Sequence, residues 1–155
     1  MKVAVASDHA GFPLKARIIE ELGKLGHETV DLGTDSTCPV DYPVYSRAAA
    51  EAVLQGRADR AVLLCGSGAG ACVAANKFKG IRAATCHDPF SAHQCVEDDD
   101  VNVMCLGARV VGPELAVELV RRYIGASFSG FERHKRRLAE VAGFEERFGD
   151  PAGPA

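Results

Sequence analysis

The sequence has no apolar run that approaches the roughly 20 residues needed to cross a bilayer, so no membrane-spanning helix is predicted. It also has no excess of basic residues. Its formal net charge of -3 at pH 7 argues against a nucleic-acid-binding surface, which requires positive charge. The apolar segment before Ser7 is too short for a secretion signal. We therefore expect a cytoplasmic protein that binds neither membranes nor nucleic acid.

The cysteines form no C-x-x-C pair and no cluster with histidine at zinc-finger spacing, so neither a disulfide scaffold nor a metal site is predicted. The six positions are Cys38, Cys65, Cys72, Cys86, Cys95 and Cys105. Most of them lie in apolar runs, where a free thiol packs as a small hydrophobic group. We expect these thiols to be reduced.

The glycine-rich stretch over residues 66–70 lacks the features of the common nucleotide motifs. It has no P-loop lysine, and its G-x-G-x-G spacing is not that of a dinucleotide fold. The next predicted strand ends Ala84-Thr85-Cys86-His87, without an acidic residue to hold a ribose. A nucleotide-binding regulator stays open as an alternative, which thermal stabilisation by ATP or NAD would reveal.

Apolar runs typical of strands alternate with segments of helical period. Strands are predicted over residues 2–7, 28–32, 61–65, 81–86 and 101–106, and helices over 13–25, 43–55, 70–78, 89–97, 113–124 and 131–147. Several strands are apolar throughout, as expected where helices cover both faces of a sheet. The alternation predicts a parallel sheet with right-handed crossovers. We expect one domain over residues 1–148 and a disordered tail over 149–155.

Chemically useful side chains follow the first and third predicted strands, at the sheet edge where parallel α/β folds bind ligands. Asp8 and His9 follow the first strand, and Cys65 ends the third. Gly66, Ser67, Gly68, Ala69 and Gly70 then lead into a helix, so their N–H groups could form a nest for a phosphate or an oxyanion. A helix amino terminus favours a thiolate, which would make Cys65 a base or a nucleophile. The alternatives are a structural turn and a packed thiol, and Cys72 is expected in the core.

Basic residues form a second group. Arg109 follows the fifth strand, and Arg133, His134 and Arg137 lie at the start of the last helix. Positions 133 and 137 are one turn apart, and the planar guanidinium group suits a phosphate. A solvated helix face is the alternative interpretation.

Together these segments resemble the type B ribose-5-phosphate isomerases and the related galactose-6-phosphate isomerase subunits. The resemblance covers roughly residues 1–147. It depends on SDHAGFPLK (7–15), DYP (41–43), CGSGAGACVAANKFKGIRAA (65–84), NVMCLGARVVG (102–112) and ERHKRR (132–137). It implies a three-layer α/β/α sandwich with a five-stranded parallel, Rossmann-like sheet. It also implies a homodimer or a dimer of dimers with shared active sites, and no cofactor.

The resemblance also implies roles for individual residues. Cys65 would be the base in an aldose–ketose isomerisation through a cis-enediol. The loop over residues 66–70 would hold the enediolate oxygen, helped by the Ser67 hydroxyl. Asp8 and His9 would contact the sugar, and Arg109, Arg133 and Arg137 would bind its phosphate near His134.

One segment departs from the family pattern. Many members have His-Asn-Asp where this sequence has Asp98, Asp99 and Asp100, and that histidine is the acid that opens the sugar ring. Asp98 could replace it only as a protonated carboxyl group, which neighbouring carboxylates would favour. His87 and His9 are alternative acids, and Asp99 loses an amide donor.

The sequence therefore predicts an isomerase of a phosphorylated sugar, with ribose 5-phosphate and ribulose 5-phosphate as the first candidates. A tetrose phosphate or a hexose phosphate is an alternative substrate. A subunit that binds sugar phosphates but needs a partner for catalysis is an alternative function.

Overall fold

The computed structural model describes residues 1–148, in which strands and helices alternate as predicted. The elements are β1 (Lys2–Ser7), α1 (Phe12–Lys24), β2 (Glu28–Asp31), α2 (Tyr42–Leu54), β3 (Arg60–Cys65), α3 (Ala69–Ala75), β4 (Ala83–Thr85), α4 (Pro89–Asp99), β5 (Val103–Gly107), α5 (Pro113–Gly125) and α6 (Glu132–Phe148). Prolines occupy the first turns of α1, α2, α4 and α5, where no N–H group is needed. The tail predicted over 149–155 lies outside the described residues.

The five strands form one parallel sheet in the order β2-β1-β3-β5-β4, which confirms the predicted α/β class. The chain passes from β1 outward to β2, whereas the later strands lie on the other side of β1. The connection after β1 therefore leads to one end of the strand order, and the connection after β3 leads to the other end. In open α/β sheets this arrangement produces a crevice at the carboxyl ends of the two strands.

Two apolar clusters cover the two faces of the sheet, which confirms the three-layer sandwich. Val62 and Leu64 of β3 face a cluster with α1, α4 and α5. Leu63 and Cys65 face the opposite cluster, which is rich in alanine from α2 and α3. Because successive strand residues point to opposite faces, Cys65 lies on the α2–α3 side of β3.

The edge strand β4 is shorter than the predicted run of 81–86, and α3 is shorter than the predicted 70–78. Hydrogen bonds from side chains to the backbone mark where both elements stop. The Asn76 side chain donates to the Ala83 carbonyl at 2.9 Å and accepts the Ala83 N–H at 2.8 Å. The Arg82 N–H donates to Asn102 Oδ1 at 2.9 Å, outside the ladder. These bonds give Asn76 a structural role at the start of β4.

Helix α6 lies beyond the sheet, on the end of α4. Ser129 N–H donates to the Glu97 carbonyl at 2.9 Å, and Glu145 accepts the Gly80 N–H at 3.0 Å. Val141 and Phe144 remain exposed on this helix. None of the helices within residues 1–148 is long and apolar enough to cross a membrane.

Candidate active site

A cavity of about 330 Å³ opens at the carboxyl ends of β1 and β3. It is lined by Asp8, His9, Ala10, Cys65, Gly66, Ser67, Arg109 and Val110. This volume is at the lower end of the range for small-molecule sites. The fold therefore brings together six of the predicted site residues, which come from the loops after three different strands.

Asp8 connects the loop after β1 to the sulfur of Cys65. Its Oδ1 accepts the backbone N–H groups of Ala10 at 2.9 Å and Gly11 at 2.8 Å. Its Oδ2 accepts the S–H of Cys65 at 2.9 Å. Asp8 is only 4% exposed, so these bonds fix both the carboxylate and the thiol at the floor of the cavity.

The environment of Cys65 favours the thiol rather than the thiolate. Burial is the largest cause that raises its pKa, followed by the hydrogen bond to Asp8 and the negative charge of that carboxylate. The backbone N–H groups of Gly66 and Gly68 lower the pKa, but by less. The loop N–H groups thus favour the thiolate, as the sequence predicts, but burial and Asp8 outweigh them in the free protein.

Glycine is required at two positions beside the cavity. Gly68 has φ +81°, and a Cβ there would lie 3.1 Å from the carbonyl carbon of Leu106. A Cβ on Gly11 would lie 2.3 Å from the backbone of Leu64, because the start of α1 crosses close over β3. These glycines let two loops approach the sheet closely, and this approach places the loop N–H groups beside the Cys65 sulfur.

Arg109 is the cation among the described residues that line the cavity. Its backbone N–H donates to the Gly66 carbonyl at 3.0 Å, which ties the loop after β5 to the loop after β3. The Arg109 guanidinium carbon lies 3.6 Å from the position that a Cβ on Gly66 would take. Its charge is therefore next to the loop, as a phosphate-binding role requires.

The two histidines at this edge each accept a backbone N–H. His9 Nδ1 accepts from Val40 at 3.1 Å, and His87 Nε2 accepts from Gly107 at 3.0 Å. A ring nitrogen that accepts a hydrogen bond carries no proton, so the remaining nitrogen of each ring holds the N–H. Both imidazoles are hydrogen-bond donors in this arrangement.

The other predicted site residues form a separate cluster. His134 is 2% exposed, and its Nε2 accepts the Arg133 Nε–H at 2.8 Å. Its Nδ1 lies 2.8 Å from Ser129 Oγ and 3.5 Å from Asp98 Oδ1. Asp98 Oδ2 accepts the side-chain N–H of Gln94 at 2.9 Å. Arg133 and Arg137 are exposed beside this cluster.

This second cluster lies at the opposite edge of the sheet from Cys65. Helix α4 starts after the carboxyl end of β4 and runs back, and its 11 residues extend roughly 16 Å. At its end, the Asp99 carbonyl accepts the Arg82 Nε–H at 3.1 Å, just before β4 begins. A single chain therefore does not bring Asp98, Asp99, Arg133, His134 and Arg137 to the cavity.

Cys72, which the sequence assigned to the core, is only half buried. Neighbouring hydrogen-bond donors lower the pKa of Cys72 to about 6, and the Cys105 thiol has the largest effect. Cys72 lies in α3 and does not line the cavity. No sequence pattern signalled this, because the strongest influences that lower the pKa, Cys105 and Thr85, come from other strands of the sheet. Within residues 1–148 no group of three or more metal-binding side chains is placed to hold an ion.

A buried thiol, a carboxylate, a glycine loop and an arginine at the switch point of an α/β sheet define an enzyme site for a small anionic substrate. A sequence model described as Ribose/Galactose Isomerase matches residues 3–141, and the chain belongs to this family.

Similar proteins cover nearly the whole chain. Ribose-5-phosphate isomerase B of Escherichia coli is 43% identical over 146 residues, which cover 94% of this chain and 97% of that protein. The D-erythrulose-4-phosphate isomerase of Pectobacterium atrosepticum is 40% identical over 132 residues, 84% of this chain and 86% of that protein. The solved structure of Clostridium thermocellum ribose-5-phosphate isomerase B has a TM-score of 0.93 and 41% identity, and covers 96% of this chain and 99% of that one.

Proposed function

We propose that the chain interconverts the aldose and ketose forms of a phosphorylated sugar through a cis-enediol, with Cys65 as the base. The observation that carries this proposal is the hydrogen bond of 2.9 Å from the Cys65 thiol to Asp8, at the floor of the cavity. It gives the sulfur a position beside a bound ligand and an acceptor for its proton. No cofactor is needed for this reaction.

Asp8 makes a buried thiol usable as a base. As Cys65 takes the proton from the carbon beside the carbonyl, its own proton passes along the hydrogen bond to Asp8 Oδ2. The proton now on sulfur, which exchanges in part with solvent while the cis-enediol is bound, is then delivered to the neighbouring carbon, and Asp8 returns its proton to the sulfur. The hydroxyl proton of the second carbon passes to the former carbonyl oxygen as the cis-enediol forms and collapses, so each proton that leaves one atom is accepted by another and the site regains its starting state.

The loop after β3 would stabilise the enediolate oxygen. Gly66 and Ser67 of this loop line the cavity, and His9 offers a ring N–H from the other side. One such donor changes rates by on the order of 10²–10³-fold in other enzymes. A thiol of raised pKa needs this help, because proton removal from carbon is then the difficult step.

The phosphate would be held by Arg109 together with residues of a second copy. Five of the predicted site residues lie at the far edge of their own sheet, namely Asp98, Asp99, Arg133, His134 and Arg137. Two of them, Arg133 and Arg137, have exposed side chains that a second copy could use. The apolar Val141 and Phe144 on the same helix are also exposed, as at an interface. We propose a homodimer or a dimer of dimers in which each cavity is completed by α6 and the end of α4 from the other chain.

Ribose 5-phosphate and ribulose 5-phosphate are the first substrates to assay, because the Escherichia coli relative is a ribose-5-phosphate isomerase. A four-carbon sugar phosphate is the second, because the Pectobacterium relative is an erythrulose-4-phosphate isomerase. We expect the reaction to take place in the cytoplasm, within pentose phosphate metabolism if the five-carbon pair is converted.

The test is the activity of purified chain on aldose and ketose phosphates of four to six carbons. Wild type should convert at least one pair, and Cys65→Ala should be folded but inactive. Cys72→Ser is the matched control, since it removes a thiol of lower pKa outside the cavity, and it should retain activity. Activity in Cys65→Ala would refute the base. Wild type that binds sugar phosphates but converts none would indicate a partner-dependent binding subunit instead.

A further inference from the structure

Two buried thiols lie beside each other under α4, away from the cavity. The sulfur atoms of Cys86 and Cys95 are 3.8 Å apart, and the Cys86 S–H donates to the Cys95 sulfur. Cys86 directly follows the end of β4, whereas Cys95 lies in the second turn of α4. Both belong to the apolar cluster that includes α5, and they are 1% and 8% exposed. The proposed isomerisation uses neither of them.

The two sulfurs differ in reactivity. The hydrogen bond from Cys86 is the largest influence on Cys95 and lowers the pKa of the Cys95 thiol, whereas burial raises it. The same contact raises the pKa of the Cys86 thiol, because Cys86 holds the shared proton. The thiolate is the nucleophile in thiol oxidation, so Cys95 is the sulfur that reacts first. Cys95 is also the more exposed of the two.

We propose that Cys86 and Cys95 form a reversible disulfide when the protein meets hydrogen peroxide, and that this bond lowers the isomerase activity by displacing α4. The Cys95 thiolate attacks one peroxide oxygen and becomes a sulfenic acid, and the other oxygen leaves as water. The Cys86 sulfur then attacks the Cys95 sulfur, and the sulfenic oxygen leaves as a second water. Two S–H bonds are lost, one S–S bond forms, and hydrogen peroxide is reduced to two waters. A dithiol reverses the step by exchange.

The disulfide cannot form without movement, because bonded sulfurs are about 2.05 Å apart. The two sulfur atoms must therefore approach by about 1.8 Å. Cys86 is held on the sheet, where its N–H donates to the Cys105 carbonyl at 3.2 Å. The next residue, His87, accepts the Gly107 N–H at 3.0 Å. The part of the approach that side-chain rotation does not supply therefore falls on α4, which carries Cys95.

A displaced α4 alters the second cluster of predicted site residues. Asp98 follows Cys95 by less than one helical turn, so it moves with the sulfur. Asp98 Oδ1 lies 3.5 Å from His134 Nδ1, and the Asp99 carbonyl accepts the Arg82 Nε–H at 3.1 Å. Misplacement by about 1 Å can cost on the order of 100-fold in rate. The disulfide itself is independent of the proposed function, whereas its effect on activity rests on it.

The bond is detected by peptide mapping after treatment with hydrogen peroxide and alkylation of the remaining free thiols. Trypsin leaves both cysteines within residues 83–109, and cleavage before Asp88 and Asp98 then separates residues 83–87 from residues 88–97. In oxidised wild type these two peptides should be joined, with two hydrogens fewer than the separate peptides, and dithiothreitol should separate them. Two separate alkylated peptides from the oxidised protein would overturn the inference.

The effect on activity is measured as kcat/KM before oxidation, after oxidation and after dithiothreitol, with a sugar phosphate that the reduced protein converts. Wild type should lose at least about tenfold and regain it. Cys86→Ser and Cys95→Ser are the matched variants, and each should keep its activity, since the Cys65 thiol, whose pKa is raised, reacts more slowly.

An equal loss in these two variants would assign the loss to another thiol and overturn the inference, as would a mapped disulfide without any loss of activity. Reduced protein that converts no sugar phosphate would instead refute the proposed function and, with it, the effect on activity. The peptide map would then still decide whether the disulfide forms.

Discussion

Two inactive variants should restore activity when they are mixed, because the proposed active site takes its halves from two chains. Cys65 lies at the carboxyl end of β3, whereas Arg137 lies on α6 beyond the amino edge of the sheet. Cys65→Ala should lose the base. Arg137→Ala should lose a charge-assisted bond to phosphate, about 1.5–3 kcal/mol or roughly 10- to 150-fold in kcat/KM. A mixed dimer keeps one cavity with both residues intact.

The size of the recovery follows from symmetry. Free exchange of equal amounts makes about half of the dimers mixed, each with one intact site of two, so activity should return to about a quarter of wild type. The assay is initial rate after the two variants are unfolded and refolded together. Cys65→Ala mixed with Asp8→Asn is the control, and it should recover nothing because both residues lie in the same half of the cavity. Activity no higher than that of the separate variants would refute the shared site.

Three further predictions concern single side chains. Tyr123→Phe should stabilise the protein by up to about 1 kcal/mol, because the fully buried Tyr123 hydroxyl has no hydrogen-bond partner among residues 1–148. A melting temperature below that of wild type would contradict this prediction. Gly11→Ala should lower the free energy of unfolding by about 2–3 kcal/mol, since its Cβ would lie 2.3 Å from the backbone of Leu64. Gly23→Ala is the control, because a Cβ there has open space and should not destabilise the protein. Equal effects of the two substitutions in urea unfolding would refute the packing argument. Asp8→Asn should lower the pKa of Cys65, because it removes a negative charge and a hydrogen bond that both raise this pKa. The alkylation rate of Cys65 should then rise at lower pH than in wild type. An unchanged dependence of the alkylation rate on pH would be evidence against the contact between Asp8 and Cys65.

Local patterns were sufficient to predict the elements and the edge that carries the cavity. Apolar runs gave strands ending at Ser7 and Cys65, and parallel strands place such ends together. The extents of β4 and α3 could not be predicted, because the Asn76 side chain bonds across seven residues to the backbone of Ala83. Such contacts exist only once the chain has folded.

The chemistry of the site was less predictable than its position. A helix amino terminus favours a thiolate, but burial and Asp8 outweigh it at Cys65, and neither is visible in a local pattern. The sequence placed Asp98 among the catalytic groups, and its role there stays a prediction. In the structure Asp98 contacts Gln94 and His134 at the other edge of its own sheet, because α4 runs from the carboxyl end of the strands toward that edge. Only the fold of the whole chain determines that direction.

The most direct measurement of the central claim is the transfer of solvent deuterium during turnover in D2O. The account predicts that wild type places deuterium on the carbon next to the carbonyl, as seen by NMR, and that Cys72→Ser does the same. Cys65→Ala should leave every carbon-bound proton in place. Carbon-bound deuterium placed by Cys65→Ala at the wild-type rate would contradict proton removal by this thiol.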